Sequence, residues 1–123
     1  MDKDPITDKI IGCAIEVHKE LGPGLLESVY EECLQYELLN NGLFVERQKN
    51  IPLIYKNIKL ASNLVLDLLV ENTVVVELKS VDILKPIHEA QLISYLKLSG
   101  IHTGLLIKFN VKYLIDGVKR RVV

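Results

Sequence analysis

The chain has 123 residues, 49% of them apolar and 25% charged, with a formal charge of −1. This length fits one domain, 1–123, that buries roughly two-thirds of its surface. The composition excludes a disordered or low-complexity chain, and no apolar run reaches the roughly 20 residues that cross a bilayer. The start, MDKDPITDK, carries acidic residues and no apolar signal segment, so a cytoplasmic location without a membrane partner is expected. Near-zero net charge neither calls for nor excludes a nucleic-acid partner.

Residues 6–21 place Ile10, Ile11, Ala14, Ile15 and Leu21 at helical spacing. Gly22-Pro23-Gly24 breaks the chain. A second helix over about 25–41 sets Leu26, Val29, Tyr30, Cys33 and Leu34 on one face and stops at Asn41-Gly42. Cys13 and Cys33 stand singly in these helices and read as small buried hydrophobes of a reducing compartment.

The period then changes from helix to strand. Residues 43–55 read as a strand whose Pro52 implies an edge position or a bulge. Lys56-Asn57 makes a turn, and 58–70 returns as a strand bent around Ala61-Ser62-Asn63. Residues 74–79, VVVELK, form the next strand. Pro86 opens a helix that runs to about Ser99 and is stopped by Gly100. TGLLIKF, 103–109, is a last apolar strand, with a weak one near 119–122. The strand–helix–strand unit at 74–109 should make its strands parallel. The order α-α-β-β-β-α-β is therefore an α/β or α+β layer with a mixed sheet.

Asp67, Glu77 and Lys79 interrupt strands that are otherwise Val and Leu. Charges rarely sit among core residues unless paired, metal-bound or facing a cleft. Alternation puts Glu77 and Lys79 on one face and Val74, Val76 and Leu78 on the other. A three-residue loop, Glu71-Asn72-Thr73, pairs Val70 with Val74 and sets Asp67 opposite Glu77. A two-residue loop sends Asp67 to the wrong face. Facing carboxylates repel unless a positive charge lies between them. Lys79 supplies part of that charge, and a divalent metal supplies more. Mg²⁺ prefers one or two carboxylates, waters and phosphate oxygens. Lys79 beside it could orient or deprotonate water. The plainer alternative is an exposed hairpin face with a cross-strand ion pair.

Two other groups of residues could complete such a site. In GLLESVY, Gly24 to Tyr30, Glu27 borders the apolar helix face, while Glu31 and Gln35 point further toward solvent. Glu27 is either a third acid at the sheet corner or a first-turn residue favoured by the helix dipole, and both can hold. In HEAQLISY, His88, Gln91 and Tyr95 share a polar stripe beside a core face drawn by Ile87, Ala90, Ile93 and Leu96, with help from Leu92. The stripe is either a solvated flank or a contact for phosphate or metal-bound water. Near the C-terminus Lys108, Lys112, Lys119, Arg120 and Arg121 face only Asp116. That basic end is either a substrate contact or protection for an edge strand.

GxxExxY at Gly24, Glu27 and Tyr30, preceded by VHKELGPG, resembles the signature of the small GxxExxY proteins. These are similar to the PD-(D/E)XK nuclease superfamily. The resemblance runs from about Ile6 to Phe109 and includes VERQ, DLLVE, VVVELKS, AQLISYL and GLLIKF in order. It implies a restriction-endonuclease-like α-β-β-β-α-β core with a mixed central sheet flanked by helices, plus an extra N-terminal helix. It also implies that Asp67 is the motif aspartate and that Glu77 and Lys79 are the (D/E)-x-K pair. Glu27 matches an additional acid of the first core helix. Gln91 and Tyr95 match a QxxxY element that positions substrate. Leu66 stands where the motif name has proline. The implied function is phosphodiester hydrolysis of nucleic acid, most readily DNA, with Mg²⁺ or Mn²⁺ held by Asp67, Glu77 and the Leu78 carbonyl. A homodimer is compatible with it. The alternative on the same fold is a non-catalytic nucleic-acid- or protein-binding module.

Overall fold

The computed structural model describes residues 4–123. Asp4 starts the first helix, its carboxylate accepting the Ile6 and Thr7 backbone N–H groups at 3.0 and 3.3 Å, with Pro5 in the first turn. That helix, α1 (Pro5–Leu21), is followed by α2 (Glu27–Asn40), β1 (Val45–Tyr55), β2 (Ile58–Val70) and β3 (Val74–Lys79). Then come α3 (Pro86–Ser99), β4 (Thr103–Lys108), a 3-10 turn at Leu114–Gly117 and β5 (Val118–Val122). The weak terminal strand is thus a real edge strand.

The strands lie in sequence order, β1-β2-β3-β4-β5. β3 and β4 are parallel, joined through α3, and the other neighbours are antiparallel. The fold is α/β with a mixed sheet, as the order of elements implied. Pro52 meets both expectations: β1 is an edge strand, and its register against β2 shifts between Pro52 and Ile54. Four steps on β2, Lys59 to Asn63, oppose two on β1, so the bend expected at 61–63 is a bulge.

Two apolar layers flank the sheet. On one side Ile10, Ala14 and Val17 of α1 and Tyr30, Leu34 and Leu38 of α2 pack on Leu68, Val70, Val76, Leu78, Leu105 and Phe109. On the other, Leu92 and Leu96 of α3 pack on Leu64, Leu66, Leu69, Val75 and Leu106. Tyr30 and Phe109 stack with centroids 4.3 Å apart.

Three helix faces differ from the sequence reading. In α1, Ile15 is exposed, and Cys13 and Val17 take its place in the core. In α2, Leu26 is 73% exposed, because it caps the helix from outside and helical spacing does not govern it. Val29 is also exposed. In α3 the inner face is Leu92 and Leu96 with Tyr95 alongside, whereas Ile87 and Ala90 face solvent and Ile93 is only half-buried. This helix has apolar residues all round, so spacing alone could not choose its inner face.

The strand alternation slips once. On β2, Leu64 and Leu66 enter the α3-side core, but Leu68 and Val70 enter the opposite one. β1 slips at the facing position: Val45 goes to the α1/α2 side, Ile51 and Leu53 to the α3 side. The residues at the slip are Asp67 and Gln48, flanked by the pairs Arg47–Leu68 and Lys49–Leu66. Gln48 has φ +51, a conformation uncommon for a residue with a side chain.

Candidate active site

The β2–β3 hairpin turns through Glu71-Asn72-Thr73, with Val70 paired to Val74. Glu71 and Asn72 both have positive φ, and the Thr73 N–H closes the turn on the Val70 carbonyl at 3.0 Å. This is the odd loop that a shared position for Asp67 and Glu77 requires.

The backbone ladder runs only to Leu68–Val76. Asp67 and Glu77 come next in register, and this is where the outcome departs from simple cross-strand pairing. The Asp67 N–H donates to the Glu77 carboxylate at 2.8 Å, and the Leu78 N–H donates to the Asp67 carboxylate at 2.9 Å. The hairpin forks, and each strand's exposed N–H is taken by the other strand's acid. Because the N–H and C=O of a strand residue point to the same side, the Leu78 carbonyl also faces the fork.

Electrostatics at the fork are severe. Burial, and then the charge of Asp67, push Glu77 up to about 8, while Lys79 pulls the other way. Burial, with Glu31 and Glu27 as neighbouring charges, raises Asp67, opposed by the Leu78 N–H bond and Lys79. Glu77 is 4% exposed; Asp67 and Lys79 are half-buried. A cation placed here would relieve the repulsion from Asp67, which adds to the burial that raises Glu77.

Glu27 reaches the same corner from the start of α2. Its carboxylate accepts the Ser80 N–H at 2.9 Å, and the Ser80 hydroxyl donates to the Leu25 carbonyl at 3.1 Å. The end of β3 is thereby stitched to the loop ahead of α2. That loop is clasped by Tyr30, whose hydroxyl donates to the Gly22 carbonyl and accepts the Leu25 N–H, at 2.5 and 3.1 Å. Gly24, with φ +94, lets the chain turn there. The three spaced residues of GxxExxY are thus a turn, an acid and the clasp that holds the acid's loop.

From the other face, Gln91 Nε2 donates to the Tyr95 hydroxyl at 3.0 Å. Burial, and then the charges of Glu77 and Asp67, hold the Tyr95 phenol above its ordinary value. His88 parts from the stripe: its Nδ1 accepts the Lys85 N–H at 2.9 Å and caps α3. The C-terminal basic residues are partly committed as well, Arg121 to Glu89 at 2.7 Å and Arg120 to Asp4 at 3.9 Å.

Three residues at the site, Glu31, Arg47 and Gln48, escaped the sequence reading. Glu31, expected toward solvent, is 6% exposed. Its carboxylate accepts Arg47 Nε at 2.6 Å and Gln48 Nε2 at 2.7 Å, and Gln48 also reaches the Asp67 carboxylate at 3.4 Å. The available signal was VERQ itself, where Arg47 and Gln48 offer donors to an acid on a neighbouring helix.

Among the described residues no three His, Cys, Asp or Glu side chains converge as a ready-made metal cage. The donor set of Asp67, Glu77 and a strand carbonyl instead fits a Mg²⁺-type ion, which keeps waters and shares phosphate oxygens. Among the described residues no helix is long and apolar enough to cross a membrane.

A mixed sheet between helices with an acid pair and a lysine at a forked hairpin defines a restriction-endonuclease-like α/β domain. The model of the PD-(D/E)XK nuclease superfamily matches residues 4–121, and the chain belongs to that superfamily. Neither the curated proteins nor the solved structures gave a match. Nucleases of this superfamily generally use divalent metals and act on nucleic acid.

Proposed function

We propose that the protein is a Mg²⁺- or Mn²⁺-dependent nuclease of the GxxExxY kind that hydrolyses phosphodiester bonds, most readily in DNA. The observation that carries this reading is the fork: Asp67 and Glu77 are brought together beside Lys79 by N–H bonds that leave carboxylate oxygens for a cation. Asp67, Glu77 and the Leu78 carbonyl would hold the ion. When bound, the ion supplies Lewis-acid charge that neutralises the phosphate and eases deprotonation of water.

Lys79 Nζ orients the attacking water and offsets negative charge on the phosphate. Glu27 completes the acidic set and fixes the Ser80 end of β3. Gln91 and Tyr95 position the scissile phosphate. The water oxygen bonds to phosphorus as the P–O bond to the leaving sugar oxygen breaks; a water proton passes to solvent and the leaving oxygen takes one up from solvent, giving a phosphate monoester and a free hydroxyl.

The test is plasmid cleavage in Mg²⁺ together with calorimetric Mg²⁺ titration. Asp67→Asn and Lys79→Ala should each lower cleavage by about 100-fold or more. Asp67→Asn should also weaken metal binding, and the folded circular-dichroism spectrum should be kept. Undiminished cleavage in both variants would sink the mechanism. Nucleic-acid binding that ignores Mg²⁺ and falls steeply with salt, without cleavage, would instead identify a binding module.

A further inference from the structure

Beyond Asp67 the β1–β2 pair leaves the main sheet and continues as a two-stranded ribbon. Its inner part is anchored on α3 by Leu64, Leu66, Ile51 and Leu53. Residues 54–63 are all exposed, among them Ile54, Tyr55 and Ile58 at 61, 59 and 62%. The tip is a turn with positive φ at both Lys56 and Asn57, a type that matches strand twist and holds the ribbon in one shape.

The charge of this segment is one-sided. Residues 50–66 contain two lysines, Lys56 and Lys59, and no acid. Neither lysine is in an ion pair among the described residues. With no acid in the segment, the projecting tip carries positive charge alone, with apolar side chains between. Lys56 lies 5.5 Å from the Tyr55 ring centre.

Dimensions narrow the choice of ligand. From the Pro52–Asn63 pair to the turn the ribbon extends about 10 Å, at roughly 3.3 Å per residue. The major groove of B-form DNA, about 12 Å wide and 8.5 Å deep, admits a two-stranded ribbon. That of A-form RNA is too narrow and deep. We propose that the 54–63 ribbon enters the major groove of duplex DNA, with Lys56 and Lys59 on flanking phosphates and Tyr55 and Ile58 against base edges. The ribbon root carries Asp67, so a duplex held this way leads its backbone toward the fork. This inference rests on the nucleic-acid reading above and narrows it to duplex DNA.

The test is fluorescence anisotropy in EDTA with a fluorescein-labelled DNA duplex, its single strand and the RNA duplex of the same sequence, across a KCl series. Wild type should prefer the DNA duplex. Lys56→Glu/Lys59→Glu should weaken duplex-DNA binding about tenfold or more and flatten the log–log salt slope by about 2. Tyr55→Ala should weaken it without changing that slope. The control Lys9→Glu/Lys19→Glu, with the same change of charge on exposed positions of α1, should leave binding within about twofold of wild type. A ribbon variant that binds the DNA duplex like wild type, or a wild type equally fond of RNA duplex, overturns the inference and leaves the nuclease reading standing. So does a wild-type dimer that Tyr55→Ala splits with DNA binding intact, since the ribbon would then seat a second copy. A wild type that binds none of the three probes also overturns the inference, while the nuclease reading falls separately, on absent cleavage in Mg²⁺.

Discussion

Glu77 carries a proton at neutral pH in the metal-free fold, because it is buried beside Asp67. Its folded value of about 8 lies above the ordinary 4.5, so between those limits the folded chain binds a proton that the unfolded chain has released. Its contribution to stability is therefore full below about pH 4.5 and is lost as pH rises through 8. Asp67, also raised, acts in the same direction. Thermal melts of wild type and Glu77→Gln should accordingly diverge as pH rises from about 4.5 to 8, with wild type losing more. Metal binding must expel that proton, so Mg²⁺ affinity should rise up to about tenfold per pH unit approaching pH 8, measured by calorimetry in buffers of different ionisation heat. Glu31→Ala is a second residue-scale case. It strips Arg47 and Gln48 of their acceptor and should cost about 2 kcal/mol in urea unfolding. Asp67, Glu77 and Lys79 were legible because charge interrupts apolar strands. Glu31 was not, because only the tertiary approach of Arg47 and Gln48 tells a buried acid from an exposed one on a helix with polar residues on most sides.

Elements meet the site through a few close contacts. Removing the Tyr30 hydroxyl by Tyr30→Phe leaves the Phe109 stack but unclasps the loop before Glu27. A loss of about 1 kcal/mol is expected, with faster amide exchange at Leu25 as the direct readout. Gly117 joins the 3-10 turn to the end of β4: a Cβ there would lie 2.1 Å from the Lys108 carbonyl oxygen. Backbone would have to move, so Gly117→Ala should destabilise by about 3 kcal/mol, read as a lowered urea midpoint. Element type and order were legible from period changes, glycines and prolines. Helix faces were less so. α3 has apolar residues scattered all round, and the flank of Gln91 and Tyr95 adjoins the buried one, which only packing reveals. The slip at Asp67 was hidden for a related reason: strict alternation has no sign for a residue that turns sideways into the sheet plane.

The whole molecule is one sheet between two separate apolar layers. Ile107→Val in the first layer should cost about 1 kcal/mol and Leu92→Ala in the second about 3. Their double variant should add to within about 0.5 kcal/mol if the sheet insulates the layers, as urea titration would show. The forked hairpin also constrains how such a domain can change over time. Its two acids seal strand ends that would otherwise leave bare N–H groups, so they hold the sheet's shape whether or not a metal is present. A descendant that lost both acids could not simply fall silent. It would be expected to zip its hairpin one residue pair further, and a longer ladder would mark the change as clearly as the missing carboxylates.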